Sequence, residues 1–249
     1  MKRRYGCRVD KYDPRDFRYD AVRAPRTFLP PSADLRPLMS PVEDQGQTNT
    51  CVANAIVGAL EYLEKKNKIS FVDYSRLFLY YNGEVMQGTP GQDAGLAIRT
   101  GIQSVVKYGT CYEQEWPFDP LTIGTKPSKQ CYTDAAVHKV LSYARVNTMI
   151  DMKSCIANGY PFVIGMQVYE SMESDEVAKT GVVEMPKVGE QLLGGHGVLV
   201  VGYSDATSTW TVRNSWGVSW GMSGYFTLPY AYLTNHKLVS DMWDIQKEA

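Results

Sequence analysis

The sequence predicts an α+β fold of two lobes, a mainly helical first half followed by an antiparallel β second half. Three observations predict it. Apolar residues recur at helical spacing after Cys51, short β-rich runs dominate after Pro161, and Gly, Ser and Asp turns separate those runs.

Taken in order, residues 1–33 carry Asp-Pro, Ala-Pro and Pro30-Pro31 breaks without helical or alternating periodicity, and they read as an extended, irregular arm. From Asp44 a polar Gln-Gly-Gln-Thr-Asn-Thr loop leads into Cys51. Beyond it Val52, Ala55, Ile56, Ala59, Leu60 and Leu63 lie on one helical face, so Cys51 is expected at a helix N-terminus. Weaker helical patterns cover Ser75–Tyr81, Gly95–Lys107, Thr133–Val140 and Met149–Asn158, the last stopped by Gly159-Tyr160-Pro161. Strands are expected at Phe162–Val168, Gly197–Tyr203, Trp210–Asn214 and Gly224–Leu228. The expected organisation is therefore an arm over 1–33 and one domain over 34–249, its helical lobe ending near 150 and its β lobe starting near 151.

Composition excludes several classes. A chain of 249 residues, 44 % hydrophobic, buries a sizeable core. No apolar run approaches the roughly 18 residues of a membrane helix, and the basic N-terminus lacks the apolar stretch of a signal peptide, so no membrane association is expected and a cytoplasmic location is favoured, with export by another route left open. Five cysteines form no C-x-x-C pair and the three histidines are scattered, so neither a metal nor another cofactor is expected. The arm holds nine Lys/Arg and four Asp, a charge of +5 against −6 for the rest, and should be attracted to the body. Its interleaved Asp10, Asp13, Asp16 and Asp20 weaken a phosphate-binding reading, so no nucleic-acid partner is expected.

Chemistry concentrates on Cys51 and His196. A helix N-terminus favours a thiolate, because unpaired N–H groups and aligned dipoles stabilise negative charge. A thiolate nucleophile in turn needs an imidazole partner to form an ion pair and later protonate the leaving amine. His196, in Gly194-Gly195-His196-Gly197, is the natural candidate, whereas His138 and His236 read as solvated surface residues. Taken singly, Cys51 would as readily be a small buried core residue, Gln45 a loop residue and Asn214 a turn former.

The blocks Pro41-Val42-Glu43-Asp44-Gln45-Gly46-Gln47-Thr48-Asn49-Thr50-Cys51, Gly195-His196-Gly197 with Val201-Gly202-Tyr203, Asn214-Ser215-Trp216-Gly217, and Trp220-Gly221 with Gly224-Tyr225 resemble the papain family of cysteine peptidases in order and approximate spacing. The resemblance runs from about Leu35 to Leu228 and is weakest in the middle, at Glu115-Trp116-Pro117-Phe118. It implies a papain-like two-lobe fold with a cleft between the lobes, Cys51 as nucleophile, His196 as its proton partner and Asn214 as the group that orients the imidazole. It also implies Gln45 as a side-chain oxyanion donor beside the Cys51 N–H, and Trp216 as a shield for the His196–Asn214 hydrogen bond. Substrate-binding positions fall at Asp93, Ala94, Gly95, Gly195 and Trp216.

This chain departs from the family in two places. Thr48 and Val52 stand where the family usually has a disulfide cysteine and a Trp, so that bridge cannot form, which fits a reducing compartment, and Cys111 and Cys131 are expected to be reduced. The arm is far shorter than lysosomal pro-domains. It reads either as a short autoinhibitory pro-segment binding its own cleft, making the chain a zymogen of a bacterial, short-arm type, or as a structural wrap. The expected function is a monomeric cysteine endopeptidase acting on peptide or protein substrates through an acyl-enzyme. The alternatives are a catalytically silent peptide-binding protein and a Cys-His acyltransferase or deamidase.

Overall fold

The computed structural model describes residues 3–23, 26, 28–67, 72–140 and 142–246. The Ala24-Pro25 break of the arm lies outside them. In chain order the elements are β1 (Cys7–Arg8), α1 (Tyr19–Val22), β2 (Ser32–Asp34), α2 (Cys51–Lys66), α3 (Arg76–Gln87), β3 (Leu96–Ala97), α4 (Ile98–Tyr108), α5 (Lys129–Ala135), β4 (Ser142–Arg145), α6 (Met149–Ala157), β5 (Phe162–Tyr169), α7 (Asp175–Thr180), β6 (Leu192–Ser204), β7 (Thr209–Arg213), β8 (Tyr225–Pro229), α8 (Tyr230–Leu233) and β9 (Val239–Gln246). Helices precede sheet, as expected.

Several boundaries differ for identifiable reasons. Helix α3 starts at Arg76 because the Ser75 side chain accepts from Phe78 N as its N-cap, and it continues to Gln87, where Gly88 at φ 79° provides a left-handed cap. Helix α4 begins at Ile98 rather than Gly95, because Gly95 has φ +78° and Leu96–Ala97 pair with the arm. The helix expected over Thr133–Val140 instead spans Lys129–Ala135, since Ser128 caps Cys131 N. Met149–Ala157 is started by a capping box between Thr148 and Asp151.

The large sheet has the order β4-β9-β5-β6-β7-β8, with β2 joined to β6, and all its pairings are antiparallel. The C-terminal strand β9, absent from the sequence expectation, is an interior strand, second from the edge, between β4 and β5. One set of buried side chains, including Phe162, Ile164, Val198, Trp210 and Phe226, forms the core of the β lobe. The opposite residues Val163, Leu199, Val201, Trp243 and Ile245 join α2, α3 and α4 in a second core. Period-2 alternation thus lets one sheet serve both lobes. Arg213 fastens them further, donating to Ser40 O and Pro41 O at 2.6 Å each.

The arm is not featureless. Its β1 pairs in parallel with β3, Gly6 forms a parallel bridge to Gly195, and Arg18 bridges Arg145. The expected attraction to the body is present in Arg4–Asp93 (2.9 Å) and Arg23–Asp244 (3.4 Å). It also runs in the opposite sense, because arm Asp10 and Asp16 meet body Arg99 and Arg145. His138 corrects the expectation of a solvated ring: it is half-buried, 5.3 Å from Tyr74 and 5.0 Å from Tyr112 between ring centroids. All five cysteines are free thiols.

Candidate active site

Cys51 begins α2, whose N-cap Thr50 makes no side-chain cap bond, so the first-turn N–H groups are left for the sulfur. Backbone groups of Gly197, Gly6, Val52 and Cys51 itself lie close enough to the thiol to favour its ionised form, but burial outweighs them and pushes the thiol above its ordinary range. Thr48, in place of a bridging cysteine, instead donates to Gln45 O (2.8 Å) and pairs with Thr50 Oγ1 (2.7 Å), which folds the approach loop.

His196 lies on β6 one residue before Gly197. A Cβ at Gly197 would sit 2.8 Å from Val52 Cγ2 and 3.1 Å from Val52 N, so glycine is what lets β6 approach the start of α2. His196 Nε2 lies 2.8 Å from Asn214 Oδ1, which also accepts from Ser215 N at 2.9 Å. Because the Ser215 N–H fixes that Asn214 atom as oxygen, Nε2 must be the donor and Nδ1 carries the free lone pair. Nδ1 is buried and makes no hydrogen bond among the described residues. Burial is the main reason the imidazole is lowered to about 4; the Asn214 bond opposes it and Arg3 reinforces it.

Trp216 stacks on His196, with centroids 5.0 Å apart and planes at 24°, and Trp220 packs edge-on behind it. Gln45 is fully buried; its Nε2 donates to Thr48 O (2.8 Å) and its Oε1 accepts from Ser215 Oγ (2.7 Å). Gln45, His196, Asn214 and Trp216 are thus linked, from the loop before α2, from within β6 and from the turn after β7, and the close approach of Gly197 to Val52 sets the strand of His196 against the helix start that carries Cys51.

The arm fills the cleft over them. Arg3 lies over the Trp216 ring (4.7 Å), and Tyr5 stands edge-on to His196 (6.0 Å) while its hydroxyl donates to Glu173. The Gly6 backbone lies near enough to Cys51 to favour its ionised thiol, and Leu96 N donates to Gly6 O at 2.8 Å. Cys7 Sγ lies 3.0 Å from the position of a Cβ on Gly165, beside Ser240 and Ile98, and Arg8 Nε donates to Ala94 O (2.7 Å). The loop expected to bind substrate is thus where the arm is held. Asp93, at φ 46°, accepts from Asn49 N (2.9 Å), Tyr80 Oη (3.0 Å) and Arg4 Nη1 (2.9 Å), and Gly95 N donates to Tyr80 Oη (2.9 Å). Gly195 faces Cys7 O, with room for no side chain.

Sequence reasoning missed Tyr5, Gly6, Cys7 and Glu173. The Tyr-Gly pair in a periodless arm was the available signal for the first two; Glu173 had none.

A thiol at a helix start, facing a strand whose imidazole is held by an amide, is the arrangement of the thiol-dependent peptide hydrolases. The family described as papain family cysteine protease matches residues 29–241, and the chain belongs to it. Xylellain, a cysteine protease from Xylella fastidiosa, superposes with a TM-score of 0.91 at 38 % identity, covering 100 % of this chain and 99 % of that one. An uncharacterised peptidase C1-like protein of Acanthamoeba polyphaga mimivirus is 43 % identical over 82 % of this chain and 69 % of its own length. Cysteine proteinase 3 of Entamoeba histolytica is 27 % identical over 83 % of this chain and 65 % of its own length, so the chain spans about two thirds of these curated relatives. A procathepsin L 3 from Tenebrio molitor shares the fold at TM-score 0.71 and 20 % identity, covering 89 % of this chain and 71 % of that one. The near-complete match to xylellain fits the short-arm bacterial type. The enzyme class is cysteine peptidase.

Among the described residues no helix is long and apolar enough to cross a membrane, and no cluster of three His, Cys, Asp or Glu is arranged to hold a metal.

Proposed function

We propose that this chain is a latent cysteine endopeptidase in which Cys51 is the nucleophile, His196 its proton partner, Asn214 the orienting amide, and the arm a built-in inhibitor of the cleft. With the cleft open, Cys51 transfers its proton to His196 Nδ1, and the thiolate attacks the substrate carbonyl carbon. The Cys51 N–H and the Gln45 side chain, whose amide keeps a second N–H beyond its bond to Thr48, stabilise the oxyanion. The tetrahedral species collapses as His196 protonates the leaving amine, leaving an acyl-enzyme. Water, deprotonated by His196, then releases the acid. Asn214 holds the imidazole with its Nε2–H engaged, so that Nδ1 is the nitrogen that shuttles the proton.

The observation that carries this reading is the bonding of Asn214 Oδ1 by both Ser215 N and His196, which leaves Nδ1 as the free base. For the arm, support comes from Tyr5 standing edge-on to His196 at 6.0 Å and from the Gly6 backbone beside Cys51. The direct test is hydrolysis of a fluorogenic peptide under reducing conditions. Activity that is thiol-blocker-sensitive and lost in Cys51→Ala is expected; hydrolysis that persists in Cys51→Ala would overturn the assignment.

A further inference from the structure

The arm does more than cover the sulfur, because three residues beyond Cys7 it plants a carboxylate in a buried, built receptor. Asp10 Oδ2 accepts from Trp243 Nε1 at 2.7 Å and lies 3.4 Å from Arg145 Nη2, and Asp10 Oδ1 accepts from Arg99 N, at the start of α4, at 3.1 Å. The Asp10 N–H donates to Asp241 Oδ2 at 2.9 Å, so the receptor reads the residue's backbone as well as its acid. Asp241 is itself held by Arg145 Nη1 (2.8 Å), and the Arg145 guanidinium lies over the Trp243 ring at 4.3 Å. Trp243, Asp241 and the Asp10 side chain are all buried.

This receptor adjoins the cleft. Cys7 Sγ rests beside Ile98, Gly165 and Ser240, and the receptor is made by the next residues along, Arg99 and Asp241. When the arm is seated, three carboxylates (Asp10, Asp16, Asp241) face two guanidiniums (Arg99, Arg145). Both Asp10 and Asp16 leave with the arm. Arg99 then loses its side-chain partners, Asp16 (2.8 Å) and Lys11 O (2.6 Å), and Arg145 keeps Asp241 alone of its three carboxylates. An indole N–H, a helix-start N–H and the Arg145 guanidinium around the Asp10 carboxylate, with the Arg99 guanidinium beside them on Asp16, leave a net positive, donor-rich site of a kind suited to anions once the arm's carboxylates depart.

We propose that the Asp10 receptor is a specificity site of the open enzyme, which takes the side chain of a peptide aspartate bound beyond the pocket that Cys7 fills, with Asp241 accepting that residue's N–H. The proposal rests on the peptidase reading above, since it assumes a peptide in the cleft.

The test uses the full chain carrying Gly6→Ala, which forces the arm off Asn49, together with Asp10→Ala and Cys51→Ala, so that binding is read without turnover. Labelled peptides carry one aspartate at each of the four positions before the bond to be cut, and each has an asparagine twin. At one position the aspartate peptide should bind roughly tenfold more tightly than its twin, and that ratio should fall to near one when Arg145→Gln or Trp243→Phe is added. Ratios near one at every position, absence of binding by every aspartate peptide, or a preference that survives both substitutions overturns the proposal. The same peptides are given to the chain with Cys51 restored: preference in binding without any cleavage would remove the peptidase reading alone, and cleavage with no preference would remove this inference alone.

Discussion

At the scale of single residues, the closed site holds a neutral pair. Burial raises Cys51 and lowers His196, so neither member of a thiolate–imidazolium pair is favoured while the arm is seated. The sign for His196 follows from its values. In the closed state it titrates at about 4 instead of 6.5, so between those pH values an opened site holds the extra proton and acidification favours opening. Asp10 acts the other way: burial first and Asp241 second raise it to about 6, so acidification from 6 towards its ordinary 3.8 favours the seated arm. These opposed terms make arm release only weakly pH-dependent through this pair. A histidine NMR titration should therefore place His196 near 4 in the wild-type chain and move it towards 6.5 or above in Gly6→Ala; the same value in both would contradict control by the arm. For chemistry, Gln45→Ala should lower kcat by about 10² to 10³ with KM changed far less, as measured on the opened chain. As candidates, Cys51, His196, Asn214 and Gln45 were legible in the sequence through the papain-like blocks around them, since taken singly each had a plain structural reading. Glu173 was not, because its contact with Tyr5 spans 168 residues and depends on the arm's path.

At the scale of elements, β1 owes its place to glycines rather than to its own apolar content. A Cβ on Gly6 would lie 2.5 Å from Asn49 Cβ and collide with the Asn49 carbonyl, and a Cβ on Gly95 would overlap Gly6 O. Gly6→Ala should accordingly expel the arm. Peptide hydrolysis by the full chain should rise at least tenfold, and alkylation of Cys51 by iodoacetamide should quicken in parallel; unchanged rates would mean that the arm does not limit access. The helix α2 and strands β5 to β8 were readable from 3.6- and 2-residue periods, within a few residues at each end. Strand β9 was not, since Val239-Ser-Asp-Met-Trp-Asp-Ile-Gln interrupts its apolar run with Asp241 and Asp244, two carboxylates kept in the sheet by Arg145 and Arg23. A two-residue β1 has no period to read.

At the scale of the whole molecule, the sheet is a shared wall. Leu199 and Val163 face the helices while Val198, Val200 and Ile164 face the β lobe, and Arg213 ties residues 40 and 41 to the same sheet. The lobes should therefore unfold together. Leu199→Ala should cost about 2 to 5 kcal/mol in a single denaturant transition, and two separated transitions by fluorescence and circular dichroism would disprove a common core. The two-lobe architecture was legible because helices and strands segregate along the chain. The crossing of β2, β4 and β9 into one sheet was not, because strand order is set by long-range pairing that leaves no local mark.

The arm belongs to the same polypeptide as the cleft it covers, and under the proposed reading that makes inhibition a question of local concentration. A segment tethered to its target by a short stretch of chain sits near it at an effective concentration of order millimolar, so contacts too weak to hold a free peptide suffice to keep the tethered one bound. A single cut between Asp20 and Pro30 would abolish that advantage without touching any contact in the cleft. The freed segment would then be lost by dilution, and latency would end at a rate set by how dilute the enzyme is.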